Sequence, residues 1–245
     1  MKKTWKLINE LNSRNCTKIK RISEIKIGEQ VLTSPVEIAE TFNSYFSNVG
    51  VDLAAEIPAS EYNPEVYLTP TDKTFNLQAP TIDRVHRLLK TIDEKKFVGL
   101  NKIPNKLLKM AADVIAPSLT EIFAKSIHAG IFPDEWKEAR VSPVYKNGAK
   151  NEPSNYRPIS VIPTVSKIFE EIIFDQLNKY FNYNDLLTSC QSGFRSLYST
   201  VIALLEATNS WSVNIDNGLI NGVVFVDLKK AFDTIDHQII FNYRN

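Results

Sequence analysis

Cysteine is scarce in this chain, with Cys16 and Cys190 the only two in 245 residues and no Cys-x-x-Cys spacing. That excludes a disulfide framework and a thiolate zinc cage, and it suits a reducing compartment. Glycine is scarce too, and none of the eight lies in a Gly-x-x-x-x-Gly-Lys phosphate loop, which argues against a P-loop enzyme. No run approaches the roughly 18 apolar residues of a membrane span. The N-terminal Met1-Lys-Lys-Thr-Trp5 leads into polar residues rather than the apolar core of a signal peptide. The expectation is an intracellular protein, nuclear or cytoplasmic, neither secreted nor membrane-spanning. Charge of one sign is also lacking: 29 Lys and Arg face 28 Asp and Glu, so no global basic field announces a nucleic-acid partner.

What is present is an ordinary globular composition, 43% hydrophobic and 23% charged, long enough for a substantial core in two subregions. The charge is distributed in blocks. Residues 1–26 carry eight Lys/Arg against two Glu, residues 27–80 carry one Lys against eight Asp/Glu, and residues 84–109 return to eight against two. Blocks of this size ordinarily mean solvated faces, so a nucleic-acid reading needs other support.

Hydrophobic periodicity predicts a mostly helical α/β (α+β) chain. A first helix should start at Ser34-Pro-Val-Glu37, with Ser34 as cap, Pro35 in the first turn and Glu37 closing a capping box. Its face is Ile38, Ala39, Phe42, Tyr45, Phe46 and Val49, and Gly50 should stop it. Pro58, Pro64, Pro70 and Pro80 mark residues 57–80 as a linker and boundary. Core helices follow at Val85/Leu88/Leu89/Ile92, at Ile103/Leu107/Leu108/Ala111, and at Leu119/Ile122/Phe123/Ile127 ending at Gly130. His86 and His128 read as structural.

After Trp136 two short β-rich runs, Arg140–Lys146 and Tyr156–Val161, flank the turn formers Asn147-Gly148 and Pro153-Ser-Asn155, which predicts a β-hairpin. Pro143 and Pro158 restrict both strands to edge positions. A long amphipathic helix from Pro163 has a face of Val165, Ile168, Phe169, Ile172, Ile173, Leu177, Tyr180 and Phe181, and another runs from about Ser199 to Trp211. Asn217-Gly218 then precedes Leu219–Val226, read as a strand that delivers Asp227 at its end, with a helix over Lys229–His237. A carboxylate on a rigid strand end suits a cation and a phosphate. Alone it equally suits a cap for the next helix. A phosphoaspartate transferase would want a second Asp where Lys229 stands.

Three further segments carry a resemblance. Asn155-Tyr-Arg-Pro-Ile-Ser160, Gln191-Ser-Gly-Phe-Arg195 and Phe225-Val-Asp-Leu-Lys-Lys-Ala-Phe-Asp-Thr-Ile-Asp-His237 resemble three consecutive motifs of the reverse transcriptases of non-long-terminal-repeat (LINE-type) retrotransposons, in order and near their usual spacing. Gly99-Leu-Asn-Lys-Ile-Pro104 with Leu107-Leu108 resembles an upstream Gly-x-Asp-x-Ile-Pro element, with Asn101 where Asp is common. Trp5-Lys6 and Phe42-Asn-Ser-Tyr-Phe-Ser47 resemble the connector between endonuclease and polymerase.

The resemblance implies an incomplete right-hand polymerase: residues 1–70 a partly helical connector, 71–215 the fingers and helical part, 216–245 the start of a palm. It implies an RNA-directed DNA polymerase, a nucleotidyltransferase using Mg²⁺ or Mn²⁺, an RNA template, a DNA primer and deoxynucleoside triphosphates. Asp227 matches the first metal-binding aspartate, assisted by the Leu228 carbonyl, because paired carboxylates hold the two cations of such reactions. Phe232 matches the aromatic that rejects a ribose 2′-hydroxyl. Lys146 and Arg157 match cations on the incoming triphosphate, where a guanidinium suits bidentate phosphate contact. Gln191, Gly193, Phe194 and Arg195 match the template side, with Asp233, Asp236 and His237 structural.

Only eight residues follow His237, so the family's Asp-Asp hairpin and thumb are expected to be absent and the chain inactive alone. The second reading is a non-catalytic RNA- or DNA-binding remnant, and the third an unrelated scaffold. Self-association through an uncovered palm strand is expected.

Overall fold

The computed structural model of the chain describes residues 22–56, 58, 73–228, 230, 231 and 235. They fall into two compact units, one drawn from residues 1–59, 142–159 and 232–244, the other from 60–141 and 160–231 with residue 245. No helix among the described residues is long and apolar enough to cross a membrane. Most of the proline-rich boundary segment, residues 57 and 59–72, lies outside the described residues.

The first unit begins with a strand pair that hydrophobic periodicity does not reveal. Strands β1 (Ile25–Ile27) and β2 (Gln30–Leu32) pair antiparallel, with Ile25 opposite Leu32. Gly28 makes the turn at φ 59°, in the left-handed region that only glycine enters without cost. Helix α1 (Pro35–Ala55) follows. The expected capping box is not formed: Ser34 makes no side-chain cap bond. Its carbonyl accepts the Ile38 N–H at 2.9 Å, and Pro35 already fixes the first turn. Nor does Gly50 stop the helix, which runs on to Ala55. Glycine inside a helix costs only about 1 kcal/mol, and Gly50 does not enter the left-handed region that a glycine stop requires. Ile38 and Phe42 of this helix bury with Ile25 and Tyr156, the Phe42 and Tyr156 rings meeting edge-on at 5.0 Å.

In the second unit helix α2 (Ile82–Thr91) is capped by Thr81, whose hydroxyl accepts the Arg84 N–H at 3.2 Å. Helix α3 (Asn105–Met110) leads directly into α4 (Ala112–Ala129). Gly130 ends α4 at φ 65°, and the Ile131 N–H returns to the Ser126 carbonyl at 3.1 Å, the left-handed stop expected of that glycine. A short helix α5 (Asp134–Lys137) carries Trp136. The expected β-rich runs, most of whose residues belong to the first unit, form β3 (Arg140–Tyr145) and β4 (Tyr156–Val161), hydrogen-bonded neighbours in a two-stranded sheet. Every strand of such a sheet is an edge, which is why Pro143 and Pro158 are tolerated.

Helix α6 (Thr164–Tyr183) lays Ile168, Phe169 and Ile172 against Val85, Leu89, Ala116 and Phe123 of α2 and α4. Phe123 stacks on Phe169 at 4.9 Å and meets Trp136 edge-on at 5.5 Å. On α6 the Gln176 side chain clasps the Gln78 backbone, its Oε1 accepting the Gln78 N–H at 2.8 Å and its Nε2 donating to the Gln78 carbonyl at 2.9 Å. Arg84 adds an ion pair to Asp175.

Helix α7 (Thr200–Asp216) buries none of its residues, although it carries Val201, Leu204, Leu205 and Ile215. The strand expected over Leu219–Val226 is not formed; residues 219–228 have no regular secondary structure. A strand exists only in a ladder, and no described segment pairs with this one. Val224, Phe225 and Val226 are consequently 86, 87 and 80% exposed. An apolar surface of this kind promotes association. Sedimentation velocity of the purified chain from low to high micromolar is expected to show a concentration-dependent shift to larger species, diminished in Val224→Lys. A monomer at every concentration would contradict it.

Candidate functional site

The hairpin loop between β3 and β4 is built by its own side chains. The Lys146 N–H donates to the Asn155 carbonyl at 2.8 Å and closes the neck. The Asn155 amide reaches the Ala149 carbonyl at 2.9 Å and Glu152 Oε2 at 3.1 Å. Gly148 sits at φ 87°, and a Cβ there would lie 2.7 Å from the Asn155 side chain, so no larger residue fits. Two phenols finish the loop: Tyr145 donates to the Gly148 carbonyl and Tyr156 to the Lys150 carbonyl, both at 2.6 Å. Burial, and then the neighbouring Tyr145, push the Tyr156 phenol above its ordinary range, so it remains a neutral donor at physiological pH.

Lys146 and Arg157 are both exposed on this hairpin, and among the described residues neither side chain makes a hydrogen bond or ion pair. Two solvated cations on a preformed loop suit a polyanion, because the loop loses little further freedom on binding. From the sequence Asn155 reads only as a turn former, and Tyr145 and Tyr156 have no assigned role. The signal was available, since Asn155 and Tyr156 open the same motif that supplies Arg157.

The expected template-side residues come together in one turn after α6. Gln191 Nε2 donates to the Gly193 carbonyl at 3.1 Å, and Arg195 Nη1 donates to the carbonyls of Thr188 at 2.9 Å and Gln191 at 3.5 Å. The Arg195 guanidinium lies 4.4 Å from the Tyr198 ring centroid. Phe194 is not a core residue: it is 95% exposed at φ 61°, a conformation costly for a bulky side chain. A Cβ on Gly193 would meet nothing within 4 Å.

Asp227 and Leu228 are exposed, and the strand meant to carry them is absent. Among the described residues no three His, Cys, Asp or Glu side chains gather where they could hold a metal ion. Asp227 is therefore part of no such group among the described residues. Phe232, Asp233, Asp236 and His237, with the helix expected over 229–237, lie largely or wholly outside the described residues.

Elsewhere, Asn101 Oδ1 accepts the Ile103 N–H at 3.3 Å. Aspartate would accept the same bond, so the departure from Asp at this position leaves the turn intact. His86 and Lys90 both bind Asp113, at 2.7 and 2.8 Å. Those hydrogen bonds, that from Lys90 foremost, hold its carboxyl below the usual range.

Residues 144–245 match the family described as Reverse transcriptase (RNA-dependent DNA polymerase). The chain is similar to the RNA-directed DNA polymerase from mobile element jockey of Drosophila melanogaster, 28% identical over 71% of this chain and 19% of that protein. It is equally similar to the probable RNA-directed DNA polymerase from transposon BS of the same fly, 28% identical over 69% of this chain and 19% of that protein. A probable RNA-directed DNA polymerase from transposon X-element, also of that fly, is 29% identical over 58% of this chain and 16% of its own length. The chain thus spans about a fifth of the length of the curated relatives it matches.

Proposed function

We propose that the chain supplies the fingers and first catalytic motif of an RNA-directed DNA polymerase, a reading supported by the match of residues 144–245 to the reverse transcriptase family and by the similarity to RNA-directed DNA polymerases from mobile elements of Drosophila melanogaster. The observation that carries this reading is the preformed β3–β4 loop with Lys146 and Arg157 unpartnered, on the segment where the matched region begins. In this role the two cations bind the triphosphate of an incoming deoxynucleotide. Gln191, Gly193, Phe194 and Arg195 face the RNA template, the bare Phe194 ring offering a base a stacking surface. Phe232 closes the space beside the sugar 2′ carbon. Asp227 and the Leu228 carbonyl hold Mg²⁺ or Mn²⁺ once further carboxylates are supplied, and the ion would neutralise the triphosphate and activate the primer hydroxyl. By itself the chain is inactive as a polymerase, acts in the nucleus or cytoplasm, and associates through residues 219–228.

A non-catalytic nucleic-acid-binding module is the second reading. Lys95, Lys96, Lys102 and Lys106 favour it: all four are exposed and none makes a side-chain hydrogen bond or ion pair among the described residues.

The test uses a chimera in which residues 144–245 replace the corresponding segment of the jockey polymerase. Phe232→Ala is expected to raise the ratio of ribo- to deoxynucleotide incorporation about tenfold or more, since relieving a steric clash is worth roughly 1–3 kcal/mol. Arg157→Ala is expected to raise the KM for nucleotide about 10- to 100-fold with little change in kcat, as a charge-assisted hydrogen bond of about 1.5–3 kcal/mol is lost from the ground state. An unchanged incorporation ratio in an active chimera would remove Phe232 from the sugar site.

A further inference from the structure

The loop from Asp93 to Pro104 is held by one buried side chain. Asn105, the first residue of α3, is 3% exposed and its amide is fully engaged. Its Nδ2 donates to the Asp93 carbonyl at 2.9 Å and to the Lys96 carbonyl at 3.3 Å, while its Oδ1 accepts the Thr164 hydroxyl at 2.5 Å. Thr164 is itself buried at the start of α6. Midway along the loop Gly99 is pressed against the chain that leads into α6: a Cβ on Gly99 would lie 2.6 Å from the Pro163 nitrogen and 2.8 Å from the Ile162 carbonyl carbon. The outer half is knotted by the Lys102 N–H on the Gly99 carbonyl at 3.2 Å and by the Asn101 turn. Lys102 is held at φ 55°, a conformation a lysine keeps only when its surroundings impose it.

Beyond Asp93 and Glu94 the exposed charged residues of this fixed loop are basic, and an exposed aromatic lies among them in sequence. Lys95, Lys96, Lys102 and Lys106 are exposed without a side-chain partner among the described residues, and Phe97 is exposed between them. A solvated charge run on a flexible loop would not need a buried, fully satisfied amide beneath it. Burying a polar group is costly unless every bond is made, and here the bonds run from α3 to both the base of the loop and α6. A loop fixed in advance presents its cations at constant spacing and loses little entropy on binding a regular polyanion.

We propose that Asn105, with Thr164 and Gly99, is a positioning residue that fixes residues 93–104 as a rigid basic platform for the phosphodiester backbone of a single-stranded nucleic acid. This rests on the nucleic-acid reading above and adds that uncharged residues beneath the loop set how many phosphates it engages. The full chain is titrated with single-stranded RNA, and separately with DNA of the same sequence, over a range of salt concentrations. The slope of log Kd against log salt counts the phosphates neutralised, at about 0.7 per phosphate for single strands. Lys102→Gln with Lys106→Gln is expected to lower the slope by about 1.4, two phosphate contacts at that increment. Asn105→Ala and Thr164→Val are expected to lower it comparably although neither removes a charge, and Thr164→Ser to restore it. Equal slopes on RNA and DNA assign the platform to the shared backbone. Amide exchange over residues 93–104 is expected to quicken in Asn105→Ala and Thr164→Val and not in Thr164→Ser.

If wild type and the lysine variants behave as expected but Asn105→Ala and Thr164→Val, cooperatively folded, keep the wild-type slope, the clasp is structural only and the inference fails. If Asn105→Ala does not fold, Thr164→Val against Thr164→Ser decides. If wild type shows no salt-dependent binding, the nucleic-acid reading itself has failed.

Discussion

Phe123→Ala is expected to destabilise the second unit by about 3–5 kcal/mol, the range for deleting a fully buried aromatic ring. Phe123 has no exposed surface and sits at the centre of the aromatic cluster, stacked on Phe169 at 4.9 Å and edge-on to Trp136 at 5.5 Å. Its removal forfeits the ring contacts that join α4 to α5 and α6, and leaves a cavity that rigid helices fill only in part. Against a typical total stability of about 5–15 kcal/mol, that loss brings the unit close to unfolding at ambient temperature. Phe174→Ala on α6 is the control: that ring is 60% exposed, and its loss is expected to cost under about 1 kcal/mol. Urea midpoints for the two variants check this, and similar shifts for both would mean that the packing centre lies elsewhere.

The inward placement of Phe123 and Phe169 was legible in the sequence, because the apolar period of each helix puts them on its buried face. The helices at 82–91, 112–129 and 164–183 and the hairpin at 140–161 were likewise readable, since each carries a long period or a turn of definite chemistry. Short elements were not. Strands of three residues at Ile25–Ile27 and Gln30–Leu32 offer too few positions for any period to emerge.

Gly50 and Leu219–Val226 misled for different reasons. A glycine stops a helix only when the chain turns left-handed there, as at Gly130 and not at Gly50. An apolar run becomes a strand only when a neighbour completes its ladder, which is a property of tertiary structure and is absent from residues 219–226 themselves.

Of the candidate site, Lys146 and Arg157 were named through the resemblance, and the residues that support their loop were not named as supports. The loop beneath them is held by Asn155, Tyr145 and Tyr156, whose roles depend on which backbone carbonyls the fold brings within reach. Asn105 is a similar case. The sequence did not single it out, and its bond to Thr164, 59 residues on, becomes visible only in the fold.

The role proposed for Asp227 is that of a catalytic carboxylate of an RNA-directed DNA polymerase, active once the rest of the site is supplied. Primer extension on an RNA template with Mg²⁺ tests it with the chain alone, with the jockey chimera, and with the chimera carrying Asp227→Asn. The account predicts no extension by the chain alone, which gathers no metal-holding group among its described residues. It predicts extension by the chimera, and a loss on the order of a thousandfold or more in kcat for Asp227→Asn, because the substitution removes charge where transition-state electrostatics contribute most. The substitution keeps the size and shape of the side chain at an exposed position, so a folding defect would not account for the loss. A chimera that extends primers equally well with Asp227 and with Asn at that position would contradict the account.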